Sequence, residues 1–152
     1  MRNMANMRLL LLTVIGSVAL AQSPADVRRE IEGQYAKATE ALRTAKSIED
    51  MDEINRSFDT QDWQSLVPGQ PPRSWAELRK YGLESLRAPF DSMTLRIEKF
   101  ELSGTTAVLT GTLRVVSHGS AVIVPLTETW RKTPMGWKRQ IHQKLGPPVP
   151  EA

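Results

Sequence analysis

The sequence predicts an α+β fold in which three helices precede a strongly curved antiparallel sheet. Between residues 24 and 87 the apolar side chains recur every three or four positions, which is the period of an amphipathic helix. After Ser92 the period changes to two, as expected of strands whose side chains alternate between two faces. With 152 residues, 40% of them hydrophobic, the chain has the size of one globular domain.

The composition excludes several classes of function. The chain has no cysteine, which rules out a disulfide framework, thiol catalysis and cysteine metal sites. Its formal charge is +3, but two of the 20 basic residues, Arg2 and Arg8, lie at the extreme N-terminus. Without them the basic and acidic residues nearly balance, and no basic stripe with interleaved aromatic residues is present. We therefore expect no nucleic-acid partner.

The first 21 residues have the three parts of a signal peptide. Arg2 and Arg8 form a positive region, residues 9–20 are apolar, and residues 19–21 match an A-x-A cleavage sequence. The apolar run is shorter than the roughly 20 residues that a membrane-spanning helix requires. We expect cleavage before Gln22 and export, either to the periplasm or by secretion, with no membrane association afterwards. An uncleaved membrane anchor is the alternative.

Serine residues mark the starts of the three predicted helices. Ser23, Ser47 and Ser74 each precede a helical pattern, and each is followed three positions later by an acidic residue. The first helix is predicted to end near Lys46 and the third near Arg87, before a proline.

Four strands are predicted at residues 94–103, 105–117, 120–132 and 137–144, joined by short turns into an antiparallel meander. The apolar phase slips within the first of them, which indicates a β-bulge at Glu98-Lys99. Strands of this length must twist, so the sheet is expected to curl. Residues 146–152 form a proline-rich tail that is expected to be extended and mobile.

The last two strands form a hairpin that carries charge on an apolar face. Glu128 and Trp130 share one face of the first strand, and a turn centred on residues 134–135 would place them opposite Ile141 and Arg139 respectively. The return strand continues this face with Trp137, Arg139, Ile141 and Gln143. A charged side chain beside apolar groups must form an ion pair or remain hydrated. The face therefore either packs with a Glu128–Arg139 ion pair or lines a polar pocket.

The hairpin also supports a resemblance to a known family. An acidic residue, one further residue, Trp, a basic turn with Gly, Trp-Lys, and a polar residue six positions later occur here as Glu128, Trp130, Arg131-Lys132, Gly136, Trp137-Lys138 and Gln143. This pattern, after three helices, resembles the SnoaL-like branch of the nuclear transport factor two-like superfamily, over residues 25–144. A weaker likeness is Asp62-Trp63 before a Pro/Gly loop.

The resemblance implies a cone-like α+β barrel over residues 22–145, with a pocket inside and a homodimer formed through the outer sheet face. Enzymes of this group, such as ketosteroid isomerase and polyketide cyclases, use pocket Asp, His and Tyr residues. The resemblance makes Tyr35, Asp59 and Asp62 the candidates for such roles here. The middle strands offer no carboxylate, because residues 105–124 contain only Arg114 and His118 as titratable groups. No catalytic residue is assigned.

Three functions are compatible with these observations. The first is a small-molecule-binding domain of unassigned activity, with a pocket lined by Tyr35, Asp59, Asp62, Trp63, Glu128, Trp130, Arg139 and Gln143. The second is an acid–base enzyme of isomerase, cyclase or hydrolase type, with Asp59 or Asp62 as base and Tyr35 as donor. The third is a protein-interaction module that uses the outer sheet face or the tail.

Cofactor and metal chemistry have no support in the sequence. The two histidines, His118 and His142, have no metal-ligand spacing, and both are expected at the surface. No G-x-S-x-G elbow and no phosphate-binding glycine loop is present. We therefore expect neither a metal nor a cofactor.

Overall fold

The computed structural model describes residues 21–87 and 89–152, so the predicted signal peptide lies, except for Ala21, outside the described residues. No helix in the described part is long and apolar enough to cross a membrane. The helical region consists of α1 (Pro24–Thr44), α2 (Ile48–Phe58), α3 (Trp75–Leu78), a 3-10 turn (Arg79–Tyr81) and α4 (Leu83–Leu86).

The three predicted serine caps are confirmed. The hydroxyls of Ser23, Ser47 and Ser74 accept hydrogen bonds from backbone N–H groups three residues ahead, at 3.2, 3.1 and 3.3 Å. The third predicted helix is divided rather than continuous. Gly82 adopts a φ of 82°, outside the helical region, and separates the 3-10 turn from α4.

The sheet contains β1 (Asp59–Leu66), β2 (Arg73–Ser74), β3 (Ser92–Ser103), β4 (Thr106–Ser117), β5 (Ser120–Thr133), β6 (Gly136–Lys144) and β7 (Val149–Pro150). The strand order is β2-β1-β6-β5-β4-β3, and β7 pairs with β5. All pairs are antiparallel except β1 with β6, which are parallel. The predicted α+β class with a strongly curved sheet is confirmed, and the sheet is mixed and unclosed. Strand β1 is not among the four strands predicted from the sequence, all of which lie after residue 93.

A bulge in β3 helps to curve the sheet. The register of β3 against β4 shifts between Ile97 and Lys99, which confirms the predicted bulge at Glu98. At this point a Cβ on Gly111 of β4 would lie 2.0 Å from the carbonyl oxygen of Arg96. Only glycine fits there, because the clash would be with backbone atoms.

The core lies between α1 and the concave face of the sheet. Its buried members include Val27 and Ile31 from α1, and Ala107, Leu109, Leu126, Trp130 and Trp137 from the sheet. Trp137 is 1% exposed and is one of the largest side chains of this core. Its indole N–H donates to Gln22 Oε1 at 2.8 Å, so the start of the predicted mature chain contacts the core.

The C-terminal tail is extended, as predicted, and it pairs with the sheet. Strand β6 ends at Lys144, which leaves the edge of β5 unpaired near Val122 and Ile123. The two residues of β7 pair with this edge, and Glu151 forms an ion pair with Arg114 at 2.7 Å. Unpaired backbone groups at a strand edge bind another extended segment readily, which explains why the tail lies there.

Candidate functional site

Strands β5 and β6 bring three titratable side chains together. Trp130 lies opposite Arg139, as the sequence predicts, but Glu128 lies opposite His142 rather than Ile141. The register shifts between these two pairs because β6 carries one extra residue there. A bulge of this kind inverts the alternation of side chains. Arg139 and His142 therefore both contact Glu128, and the predicted pairing of Glu128 with Ile141 is wrong.

Glu128 is fully buried and accepts four hydrogen bonds. Its Oε1 accepts from Trp130 Nε1 at 3.1 Å. Its Oε2 accepts from Arg139 Nη1 at 3.1 Å, from His142 Nδ1 at 2.6 Å and from the hydroxyl of Tyr35. A carboxylate removed from water needs such partners, because its desolvation otherwise costs several kcal/mol. Glu128 thus organises the side chains around it.

Arg139 bridges Glu128 to a second carboxylate. Asp59, the first residue of β1, pairs with Arg139 across the parallel strands, and its Oδ1 accepts from Arg139 Nε at 2.8 Å. Asn55, one helical turn earlier in α2, donates to Asp59 Oδ2 at 3.0 Å. Only 13% of the Arg139 side chain and 6% of the Asp59 side chain are exposed. One guanidinium therefore lies between two buried carboxylates.

Two aromatic rings pack against the same guanidinium. Arg139 Cζ lies 4.7 Å from the ring centroid of Phe58 and 5.3 Å from that of Trp63, both within cation–π range. Among the described residues, the indole N–H of Trp63 is the one buried side-chain donor or acceptor with no hydrogen-bond partner. The rings and carboxylates together hold Arg139 in one orientation.

Burial and charge act in opposite directions on the two carboxylates. Burial raises the pKa of Glu128, but the charge of Arg139 and the hydrogen bonds from His142 and Tyr35 outweigh it and lower this pKa to about 2. Burial also raises the pKa of Asp59, and there Arg139 offsets only part of the effect. The pKa of Tyr35 is raised well above its ordinary value, first by burial and then by Glu128. Asp59 therefore takes up a proton more readily than an ordinary aspartate.

Glu128 should make the fold sensitive to acid. Its pKa is about 2 in the folded protein against an ordinary value of 4.5, so its stabilising contribution is present above pH 4.5 and is lost as the pH falls towards 2. This difference corresponds to roughly 3 kcal/mol, and the raised pKa of Asp59 acts in the opposite direction and offsets part of it. Denaturant unfolding between these pH values should show a larger loss of stability in the wild type than in Glu128→Gln. An equal pH dependence in the two proteins would contradict this assignment.

A cavity of about 390 Å³ lies between α1, α2 and the concave face of the sheet. Its walls are largely apolar and include Ala38, Leu42, Met51, Leu113, Val115 and Val124. Asp59, Arg139, His142 and Lys144 are the titratable β-strand residues that line it. Two larger pockets, of about 510 and 890 Å³, lie elsewhere on the protein, and neither is lined by Arg139 or His142. The inner cavity is therefore the one that combines apolar walls with the buried charge cluster.

The predicted pocket residues divide into three groups. Tyr35, Asp59, Trp63 and Arg139 line the cavity. Glu128 and Trp130 are fully buried and do not line it; they hold the residues that do.

Asp62 and Gln143 form the third group, outside the cavity. Asp62 is exposed and accepts hydrogen bonds from Thr60 and Gln140, and both bonds lower its pKa, the Thr60 bond more than the other. Gln143 is exposed because the β6 bulge turns it to the outer face, opposite Thr127. Their predicted place in the pocket is corrected.

His142 is the site residue that the sequence analysis missed. It was expected at the surface, yet its side chain is 12% exposed, contacts Glu128 and lines the cavity. The bulge that turns it inward has no local signal, because charged and polar residues occupy both phases of β6. The other histidine, His118, is exposed in the β4–β5 turn at a φ of 51°, as predicted.

Comparison with known proteins yields structural matches alone. No family model matches the chain, and no curated protein does. An NTF2-like protein from Cytophaga hutchinsonii is 12% identical with a TM-score of 0.58, over 81% of this chain and 98% of that one. A Novosphingobium aromaticivorans protein described as a candidate aromatic ring hydroxylase is 22% identical with a TM-score of 0.57, over 86% and 96%. A Parabacteroides distasonis protein described as a candidate ketosteroid isomerase is 19% identical with a TM-score of 0.55, over 84% and 90%.

Proposed function

The chain has the nuclear transport factor two-like fold, and on that basis we propose that it is a SnoaL-like domain that binds a small amphipathic molecule inside its cone. The single observation that carries the proposal is the inner cavity, with its apolar walls and a charge cluster at one side. Its volume of about 390 Å³ falls within the range of roughly 300–1,000 Å³ found for ligand sites. A fold scaffold by itself does not specify a ligand, so the lining residues define the ligand class.

The lining favours an organic molecule with an apolar body and one polar group. Arg139 cannot serve as the main ligand anchor, because Asp59 and Glu128 already accept its hydrogen bonds. Lys144 also lines the cavity and contributes a positive charge to it. The apolar body would lie against α1, α2 and the sheet, with its polar group near the β6 residues.

Filling the cavity should weaken ligand binding. Met93→Trp places a larger side chain at the β3 wall and should weaken binding at least tenfold, since the ligand and the indole would occupy the same space. The measurement is the shift of the unfolding temperature with a panel of apolar alcohols, ketones and carboxylic acids. Met135→Trp is the matched control, because Met135 is 79% exposed in the β5–β6 turn and outside the cavity. Unchanged binding by Met93→Trp, or no binding by the wild type, would contradict the proposal.

Acid–base catalysis is the second candidate, and one observation favours it. Asp59 lines the cavity, is 7% exposed and has a pKa that burial raises, and a buried carboxyl group of this kind is suited to act as a general base. The geometry does not favour Tyr35 as the donor to a substrate, since its hydroxyl already donates to Glu128. Once a ligand is known, Asp59→Asn should abolish turnover while retaining binding if the protein is an enzyme. Unaltered turnover in this variant would exclude Asp59 as the base.

Export and dimerisation are further parts of the proposal. Gln22, the first residue of the predicted mature chain, is bonded to Trp137, so cleavage before it would retain the described core contacts. Mass spectrometry that finds Met1 on the exported protein would contradict cleavage.

The outer face of the sheet exposes Val108, which is 37% exposed, and the hydroxyls of Thr110 and Thr127, which are hydrogen-bonded to each other. We propose that this face forms the homodimer, and a monomeric mass in sedimentation would contradict it.

The interaction-module alternative has less support. It requires a cone filled with side chains and a contiguous apolar outer face, whereas a cavity is present. In the part of the chain that the structure describes, the large exposed apolar residues are Tyr81, Val108, Met135, Leu145 and Val149. They come from different secondary-structure elements and turns, so the ligand-binding function accounts for more of the structure.

A further inference from the structure

The two ring nitrogens of His142 differ in their contacts: Nδ1 contacts Glu128 and Arg139, whereas Nε2 has no contact of this kind in the described part of the chain. Nδ1 lies 2.6 Å from Glu128 Oε2 and 3.2 Å from Arg139 Nη1. The carboxylate can only accept a hydrogen bond and the guanidinium can only donate one, so the two contacts require opposite states of Nδ1. The shorter contact, to Glu128, determines the protonation of Nδ1, because an unprotonated Nδ1 would place its lone pair 2.6 Å from an ionised carboxylate and the two would repel each other. Nδ1 therefore carries the proton and donates to Glu128.

The tautomer of the neutral imidazole follows from this bond. When one ring nitrogen carries the proton, the other presents a lone pair and acts as an acceptor. Nε2 of His142 has no hydrogen-bond partner in the described part of the chain. It is also not a fully buried atom, because Trp63 Nε1 is the one side-chain polar atom there that is both buried and without a partner. Since His142 lines the cavity, Nε2 is an accessible acceptor beside it.

We propose that His142 Nε2 is the ligand anchor of this cavity and that the ligand carries a weakly acidic hydroxyl, of the phenol or enol type, on an apolar body. The inference rests on the proposed binding function and names its ligand class. Glu128 is the positioning residue, because its bond to Nδ1 directs the lone pair of Nε2 to the ligand. Phe58 and Trp63 line the same cavity and provide flat walls for an unsaturated ring.

Charge around the imidazole favours the same ligand class. Glu128 and Arg139 contact His142 directly, and Asp59 and Lys144 line the cavity beside it. A ligand hydroxyl that donates to Nε2 acquires negative character on its oxygen, and the positive charge of Lys144 in the same cavity lining favours this. A ligand with neither an O–H nor an N–H donor would leave the Nε2 acceptor unpaired, and an acidic O–H is the stronger of the two donors.

The tautomer can be measured without any ligand. Nitrogen NMR of the imidazoles, recorded about two pH units above the ordinary histidine pKa of roughly 6.5, distinguishes the protonated nitrogen from the free one. The chain has two histidines, and His118→Gln assigns the spectrum. We expect the Nδ1–H form for His142 in the wild type, and its loss in Glu128→Gln. An Nε2–H form, or a doubly protonated ring at that pH, overturns the inference whatever the cavity binds.

Ligand binding gives the second test, with 2-naphthol and its methyl ether 2-methoxynaphthalene as probes. The wild type should bind 2-naphthol about tenfold more tightly than the ether, as expected for one buried hydrogen bond. His142→Phe should abolish this preference, and the control His118→Gln should retain it. Equal binding of both probes by the wild type overturns the hydroxyl anchor but leaves the binding function intact. No binding of any apolar compound contradicts both.

Discussion

Replacing Arg139 with methionine should lower the free energy of unfolding by about 3–5 kcal/mol, the usual cost of removing one partner of a buried ion pair. The Arg139 side chain is 13% exposed and forms ion pairs with both Asp59 and Glu128. Its removal would leave these two buried carboxylates without the positive charge that compensates them. Asp59 would retain the amide of Asn55 as its side-chain donor, while Glu128 would retain Tyr35 and other neutral donors. Denaturant unfolding measures the loss.

The matched control is Arg114→Met, which makes the same substitution in an exposed ion pair. Arg114 and Glu151 are 46% and 41% exposed, and such pairs contribute less than about 1 kcal/mol. If uncompensated charge is the cause, adding Asp59→Asn to Arg139→Met should recover part of the lost stability. Equal effects of the two arginine substitutions, or no recovery in the double variant, would contradict this explanation of the cluster.

The sequence predicted part of this cluster and could not have predicted the rest. The presence of two opposite charges on an otherwise apolar hairpin face was sufficient to identify Glu128 and Arg139 as site residues. Arg139 Nη1 lies 3.1 Å from Glu128 Oε2. The sequence left a choice between an ion pair and a pocket, and both descriptions apply, because Arg139 is paired and also lines the cavity. His142 depended on an extra residue in β6, and the position of such a bulge is set by contacts between strands rather than by local sequence.

The elements of the fold were predictable to different degrees for similar reasons. Helices and hairpins carry local signals, such as serine caps and turn glycines, and these predictions are confirmed. Strand β1 is polar at most positions, with only Asp59 and Trp63 buried, so no apolar alternation reveals it. The tail strand β7 forms because β6 ends early and exposes an edge of β5. Both strands result from long-range pairing, which outweighs local propensity.

Trp137→Ala should lower the free energy of unfolding by about 3–5 kcal/mol, as expected when a large buried aromatic side chain is truncated. The side chain is 1% exposed and belongs to the core cluster with Val27 and Ile31 of α1. Its indole N–H donates to Gln22, and its backbone N–H donates to Glu30 Oε2 at 3.2 Å. The residue therefore attaches the hairpin to the first helix, and its removal leaves a cavity between them. Denaturant unfolding is the measurement.

The control lies two residues away in the same hairpin. Met135 is 79% exposed at the turn, so Met135→Ala should change the free energy of unfolding by less than about 0.5 kcal/mol. The pair separates loss of core packing from a general disturbance of the turn, because both substitutions shorten a side chain within the same chain reversal. Comparable losses would show that the hairpin turn, rather than burial of the indole, determines stability. A large difference would show that the hairpin is held by its contacts with α1.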